Sequence, residues 1–354
     1  MNIEKEILAH VDNIRDLRAP SGLFLASAQG VSTGYDKAWL RDNFYTALAF
    51  EVTEEWDIVL ETWTAIMHIF EKHKEKIVWA THNKPHESWQ YIHARYHPES
   101  FDEFWEEWGN KQNDAVGAII FKLADIELKG KGIIKTDRDR EILQILIDYL
   151  NSIEYWHDPD NGIWEEYEEV HASSIGAVVA GLKKASQLDF INIPEGLIEK
   201  GEESLSSMMP RESSSKFCDL ALLSLIYPYD VVSREVAEEI MENMHYHLDR
   251  GSGVIRYKND YYYNKNEVDG FSEEAEWVMG FPWMSIIYSR WGDKEKARNY
   301  IYKTKKLEAE GNKLPELYYS NSNDPNENIP LGWAESLYVV ALKEYSERFG
   351  ENEI

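Results

Sequence analysis

The sequence predicts an all-α protein in which roughly twelve helices pair into hairpins and close into a double ring, with one minor β-hairpin. Three observations carry this. Apolar residues recur at helical spacing almost from end to end. Long and short connections alternate between the helices. No internal repeat of fixed length is present, which argues against an open solenoid of stacked hairpins.

Taken in order, the spacing marks helices over 3–17, 37–54, 56–75, 112–128, 137–153 and 172–188. It continues over 195–208, 217–226, 232–248, 273–291, 294–306 and 331–347. In the last, Leu331, Ala334, Leu337, Tyr338, Val340 and Ala341 form a stripe at steps of three and four. Thr136 and Asp293 stand where N-caps belong, ahead of the helices at 137 and 294. Strand signal is confined to 253–257 and 261–263, read together as a hairpin. The long loops cover 18–37, 76–111, 154–171, 249–272 and 307–330. Their alternation with short turns places function at one mouth of the ring. No linker interrupts the pattern, so 1–354 is read as one domain.

Composition narrows the partners. A net charge of −27 repels a nucleic-acid backbone and anionic membrane surfaces. The N-terminus lacks the basic and apolar regions of a secretion signal, and no apolar run approaches the ~20 residues of a membrane span. Cys218 is the lone cysteine, which fits a reducing compartment, and a cytoplasmic location is expected. In its apolar helix that thiol should be buried and inert. Thirteen Trp and 21 Tyr are the outlying feature. Most belong to the core, but Trp39, Trp89, Trp108, Trp164, Trp283 and Trp333 adjoin polar residues. Indole faces stack on the C–H faces of sugars, so a carbohydrate ligand is favoured.

Five short segments carry candidate chemistry. Trp39-Leu40-Arg41-Asp42 offers an aromatic face and a charged fork able to grip vicinal hydroxyls, although Arg41 and Asp42 would serve equally as a salt bridge at a helix start. Gln112-Asn113-Asp114 is either an N-cap or a polar set with Gln112 and Asp114 aimed at a ligand. Ile163-Trp164-Glu165-Glu166 brings two adjacent carboxylates beside an indole, and repulsion between them would keep a proton on one. Arg256 and Asp260 offer a second charged pair. Glu316, after Pro315, is a single carboxylate that matters only as the second of the pair an inverting hydrolysis requires.

Other chemistries find little support. There is no Gly-rich phosphate loop and no nucleophile elbow. His93 and His97 have metal-ligand spacing only if helical, and they lack a third partner, so neither metal nor cofactor is expected. Ser213-Ser214-Ser215 reads as a flexible loop.

These segments, in this order, resemble the catalytic toroid of glycoside hydrolase family 15, which includes glucoamylases and is related to the phosphorylase kinase α and β subunits. The likeness runs from Gly22 to Leu342. It implies an all-α, (α/α)6 six-hairpin fold. It also implies an inverting, exo-acting hydrolase that frees glucose from the non-reducing end of short α-glucosides. Glu165 matches the general acid and Glu316 the base. Trp39, Arg41, Asp42, Gln112, Asp114, Trp164, Glu166, Arg256, Asp260 and Trp283 match sugar-binding positions, with Glu166 also helping to hold Glu165 protonated. The expected partner is a small oligosaccharide or glycoside. The chain departs from the family in lacking an N-terminal β-sandwich and a starch-binding module, which favours a short substrate. The stretch 76–108, with Trp89, His93, Arg95 and Tyr96, has no counterpart in the resemblance and is where substrate choice is expected. An alternative within the resemblance is a glycan-binding regulatory protein that has lost turnover.

Overall fold

The computed structural model describes residues 1–106, 108–264, 273–350 and 352–354, so part of the predicted loop 249–272 lies outside the described residues. The helices are α1 (Ile3–Arg15), α2 (Leu40–Val52), α3 (Trp56–Lys72), α4 (Lys74–His82), α5 (Asn113–Leu128) and α6 (Asp137–Ile153). They continue with α7 (Ala172–Ala185), α8 (Leu197–Met208), α9 (Arg234–Asn243), α10 (Gly280–Trp291), α11 (Lys294–Lys305) and α12 (Gly332–Phe349). A 3-10 helix spans Leu220–Leu225.

Two faces of burial sort these helices into layers. From Leu40 to Phe50 every residue of α2 is buried, as is every residue of α5 from Asn113 to Ile126. A helix apolar or sequestered all round belongs inside. By contrast α9 buries only Ala237, Ile240 and Met241, one stripe against the core. The inner members α2, α5, α7, the 3-10 helix, α10 and α12 touch in that order, and α12 returns to α2. Outside them, α3 packs on α2, α6 on α5, α8 on α7, α9 on the 3-10 helix, α11 on α10 and α1 on α12. The ring is closed: an (α/α)6 toroid.

Local signals place some of the helix ends. Thr136 Oγ1 accepts from the Asp139 amide at 3.2 Å, while the Asp139 carboxylate accepts from the Thr136 amide at 2.8 Å, a reciprocal capping box. Asp293 caps α11 through the Lys296 amide. Inside the ring α5 and α7 approach closely because Gly117 and Gly181 lack side chains. A Cβ on Gly117 would sit 2.5 Å from Val178 N. Gly117→Ala is therefore expected to cost roughly 1–3 kcal/mol through overpacking, read as a fall in melting temperature. An unchanged melt would show that the helices can separate freely.

Three expected elements are corrected, and one ladder was not expected. The segment 220–225 is a 3-10 helix rather than an α-helix. The helix predicted from 273 begins at 280, because Glu276–Trp277 (β3) pairs antiparallel with Leu317–Tyr318 (β4). The hairpin of 253–257 with 261–263 is absent; Val254 instead bridges Asp249 and Trp277. A second short ladder joins Ala38–Trp39 (β1) to Arg95–Tyr96 (β2). In each case a distant partner decides the backbone, which local spacing does not register. Ser213, Ser214 and Ser215 are tied down rather than loose, all donating to the Glu169 carboxylate. Cys218 precedes the 3-10 helix and is buried, and burial with the nearby Asp219 charge pushes its thiol up to about 12. Among the described residues no helix is long and apolar enough to cross a membrane.

Candidate active site

The segments that lead into the inner helices converge on one small cavity. Its wall includes Trp39, Arg41 and Asp42 at the start of α2, then Trp164 and Glu165, Arg256, Glu316, and Trp333 at the start of α12. Arg41 and Arg256 thus face one space, as do Glu165 and Glu316.

Arg41 is buried and held from three sides. Its Nε donates to Asp114 at 2.6 Å, Nη2 donates to Gln112, and Nη1 lies 3.6 Å from Glu165. Burial opposes the guanidinium charge, but Asp114 and Glu165 more than offset this and raise its pKa. At Asp42 beside it the balance runs the other way. Burial, reinforced by Glu165 and Glu316 against Arg41, pushes its carboxyl up to about 7. Gln112 and Asp114, expected to bind ligand, instead sit behind Arg41 and fix its direction.

Glu165 stands on a left-handed residue, φ 62°, in the turn after Gly162. The turn is clamped to the α5 entry: Asn161 N donates to Lys111 O at 2.7 Å, and Asp160 accepts from the Asn113 amide at 2.8 Å. Gly109 passes so close that a Cβ there would lie 2.7 Å from the Glu165 carbonyl. Trp108 Nε1 donates to Glu165 Oε2 at 2.5 Å and Gln112 Nε2 to Oε1 at 3.0 Å.

Across this turn the adjacent carboxylates part. Glu166 faces a larger neighbouring cavity, also lined by Tyr167, Phe217 and Tyr257. There it accepts from Arg256 at 2.9 Å, from the Tyr257 hydroxyl at 2.7 Å and from Lys216 at 2.7 Å. Despite burial, Arg256 and Lys216 lower its pKa. Glu166 is thus the ion-pair partner of Arg256 and Lys216, and its carboxylate turns away from that of Glu165.

Glu316 is almost fully buried where 314–318 passes under α12. Asn326 and Asn328 donate to its Oε2 at 2.6 and 2.8 Å. Burial raises its pKa against these donors. The strand entry is braced from behind. Glu335 on α12 accepts from the Leu314 amide at 2.8 Å and pairs with the buried His10 of α1. Among the described residues Glu6, His10 and Glu308 lie near enough to share a metal ion. However, Lys305 Nζ is 2.7 Å from both carboxylates and already balances them. His93 and His97 are not helical; their Nδ1 atoms accept backbone amides of Arg95 and of Glu99 and Ser100.

Arg256 is gripped by Asp260 through Nε at 2.6 Å and Nη2 at 2.7 Å, so Asp260 orients it from beneath. Its guanidinium lies over Trp164, Tyr262 and Trp277. Trp164 Nε1 donates to Asp219 at 2.7 Å, fixing the ring at the cavity wall. Trp283, predicted to bind ligand, does not line the cavity: it is fully buried on α10 and donates to the Tyr227 carbonyl. Trp333 takes the wall position instead, stacked on Tyr45. Tyr35, Trp277, Asn326 and Asn328 escaped the sequence reading. Only the indole-rich composition hinted at Trp277.

A closed ring of helical hairpins, with paired carboxylates and aromatic walls at one mouth, is a glycosidase architecture. The chain belongs to glycosyl hydrolases family 15, whose model matches residues 9–344. Solved glycosidases share the fold. One in complex with glucose superposes with a TM-score of 0.82 at 16% identity over 97% of both chains. A bacterial glucoamylase complexed with acarbose gives 0.73 at 15% identity, over 97% of this chain and 55% of that one. Among curated relatives, a probable phosphorylase b kinase regulatory subunit alpha of Caenorhabditis elegans is 29% identical over 66% of this chain. The match spans only 23% of that protein's length. An uncharacterized glycosyl hydrolase of Methanocaldococcus jannaschii is 25% identical over 66% of this chain and 42% of its own.

Proposed function

We propose that the chain is an inverting, exo-acting glycoside hydrolase that releases glucose from the non-reducing end of short α-glucosides. The observation that carries this reading is the convergence of Glu165 and Glu316 on one small cavity with Arg41, Asp42 and Arg256. Glu165 acts as the acid, passing its proton to the glycosidic oxygen as the C1–O bond breaks. Glu316 is the base that takes a proton from the water attacking C1 from the opposite face. Arg41, Asp42 and Arg256 grip the glucose hydroxyls, with Trp39 and Trp164 as walls. Gln112, Asp114 and Asp260 keep the two guanidinium groups aimed. The leaving half extends toward the larger cavity, which Glu166 joins to Arg256. That neighbouring solved structures hold glucose and acarbose supports a sugar ligand.

A second reading is a glycan-binding regulatory protein without turnover, favoured by the likeness to kinase regulatory subunits. Incubation with maltose, isomaltose, kojibiose and trehalose, followed by proton NMR of the first product, separates the two. The hydrolase reading expects β-glucose from at least one of them. Tight sugar binding without release favours the regulatory reading, and α-glucose as first product rules out Glu316 as a base.

A further inference from the structure

We propose that Arg95 is a positioning residue for Glu165, acting through a cation stacked on the Trp108 indole that donates to that carboxyl. The inference rests on the reading of Glu165 as the acid, and it concerns the stretch 76–108 that the family likeness leaves unexplained.

The ladder between β1 and β2 sets Arg95 directly opposite Trp39. Its guanidinium is buried, with its centre 4.4 Å from the Trp108 ring centroid, 5.5 Å from Phe104 and 5.7 Å from Trp39. Among the described residues its side chain has one hydrogen-bond partner, Glu106, which Nη2 meets at 2.8 Å. Glu106 is largely exposed and is shared with Lys37. Nε is buried without a partner. A five-donor cation left this poorly bonded is stabilised by the aromatic faces and by nearby negative charge. Burial lowers the Arg95 pKa, and the charges of Glu165 and Glu106 oppose this.

Trp108 is half-exposed and needs something to hold its ring where Nε1 meets Glu165. Arg95 supplies that support. A cation against an indole face also draws electron density from the ring and makes its N–H a stronger donor. Both effects hold the Glu165 carboxyl against the Trp108 N–H. The other groups that face Glu165 are Arg41 at 3.6 Å, Gln112 as a donor, and Asp42 and Tyr35 through their charge or polarity. Arg95 therefore adds a second cation behind the one that already grips the site.

The test is carboxyl ¹³C NMR titration of the full chain, with the Glu165 signal assigned by its loss in Glu165→Gln. Arg95→Met keeps most of the volume and removes the charge; it should raise the Glu165 midpoint by about one pH unit. Arg95→Lys should leave it near wild type. Where Arg95→Met does not fold, Glu106→Gln provides a second route. It changes an exposed residue, uncovers the Arg95 charge and should lower the midpoint. A midpoint that stays put in Arg95→Met or, failing that variant, in Glu106→Gln overturns the proposal. Because the readout needs no turnover, it stands apart from the hydrolase reading. If the wild type releases no sugar, that reading fails while the midpoints still decide the role of Arg95. In an active enzyme the alkaline limb of kcat/KM should shift with the midpoint, whereas a merely structural role would lower kcat/KM equally at every pH.

Discussion

Glu316→Gln is expected to slow hydrolysis about 10²–10⁴-fold on an α-glucoside and on α-glucosyl fluoride alike. Each substrate still needs an activated water, and the amide cannot take its proton. Glu165→Gln should match this loss on α-glucosides with poor leaving groups. On the fluoride, whose departure needs little protonation, it should stay near wild type. Binding of glucose should survive in both variants, because Arg41, Asp42 and Arg256 are untouched. The pattern, rather than either loss alone, assigns the roles. Equal losses on the fluoride in both variants would sink the division into acid and base.

The change with the largest expected effect on stability is Arg41→Met. The guanidinium lies among Asp114, Gln112 and Glu165 with almost no exposure. Removing it leaves Asp114 buried without a counter-ion, and breaking one half of such a pair typically costs about 3–5 kcal/mol. Asp114→Asn in the same chain should recover much of the loss, since the orphaned charge is then gone. Chemical denaturation with an unchanged m-value is the measurement. A loss under about 1 kcal/mol would mean that water or a rearranged Gln112 replaces the cation.

Much of the ring could be read from the chain itself. Helices with a clean apolar stripe, such as 137–153, and those with an explicit cap, as at Asp293, were placed within a residue or two. Their start signals are local, and a burial face repeating every three or four residues is written into any contiguous window. The candidate carboxylates were legible for another reason. Glu165 and Glu316 stand out only through the segments around them, taken in order. No single segment would have sufficed.

What the sequence alone determined, then, is most of the helices, though not α4 inside the stretch read as a loop nor the 3-10 form of 220–225, together with the alternation of long and short connections and the residue types gathered for a sugar. Only the tertiary structure decided which side chains reach the cavity. Trp283 and Trp333 both look like polar-flanked indoles in sequence, yet one is core and the other is wall. Glu165 and Glu166 are neighbours in the chain, but a left-handed turn sends them into different cavities with different partners. Asn326 and Asn328 hold Glu316, and Arg95 reaches Trp108, through contacts that no local pattern encodes. Helical periodicity is a property of neighbours along the chain, so one sequence reveals it. The direction of a loop side chain is set by segments far away in sequence, and it becomes definite only when the ring closes and brings them together.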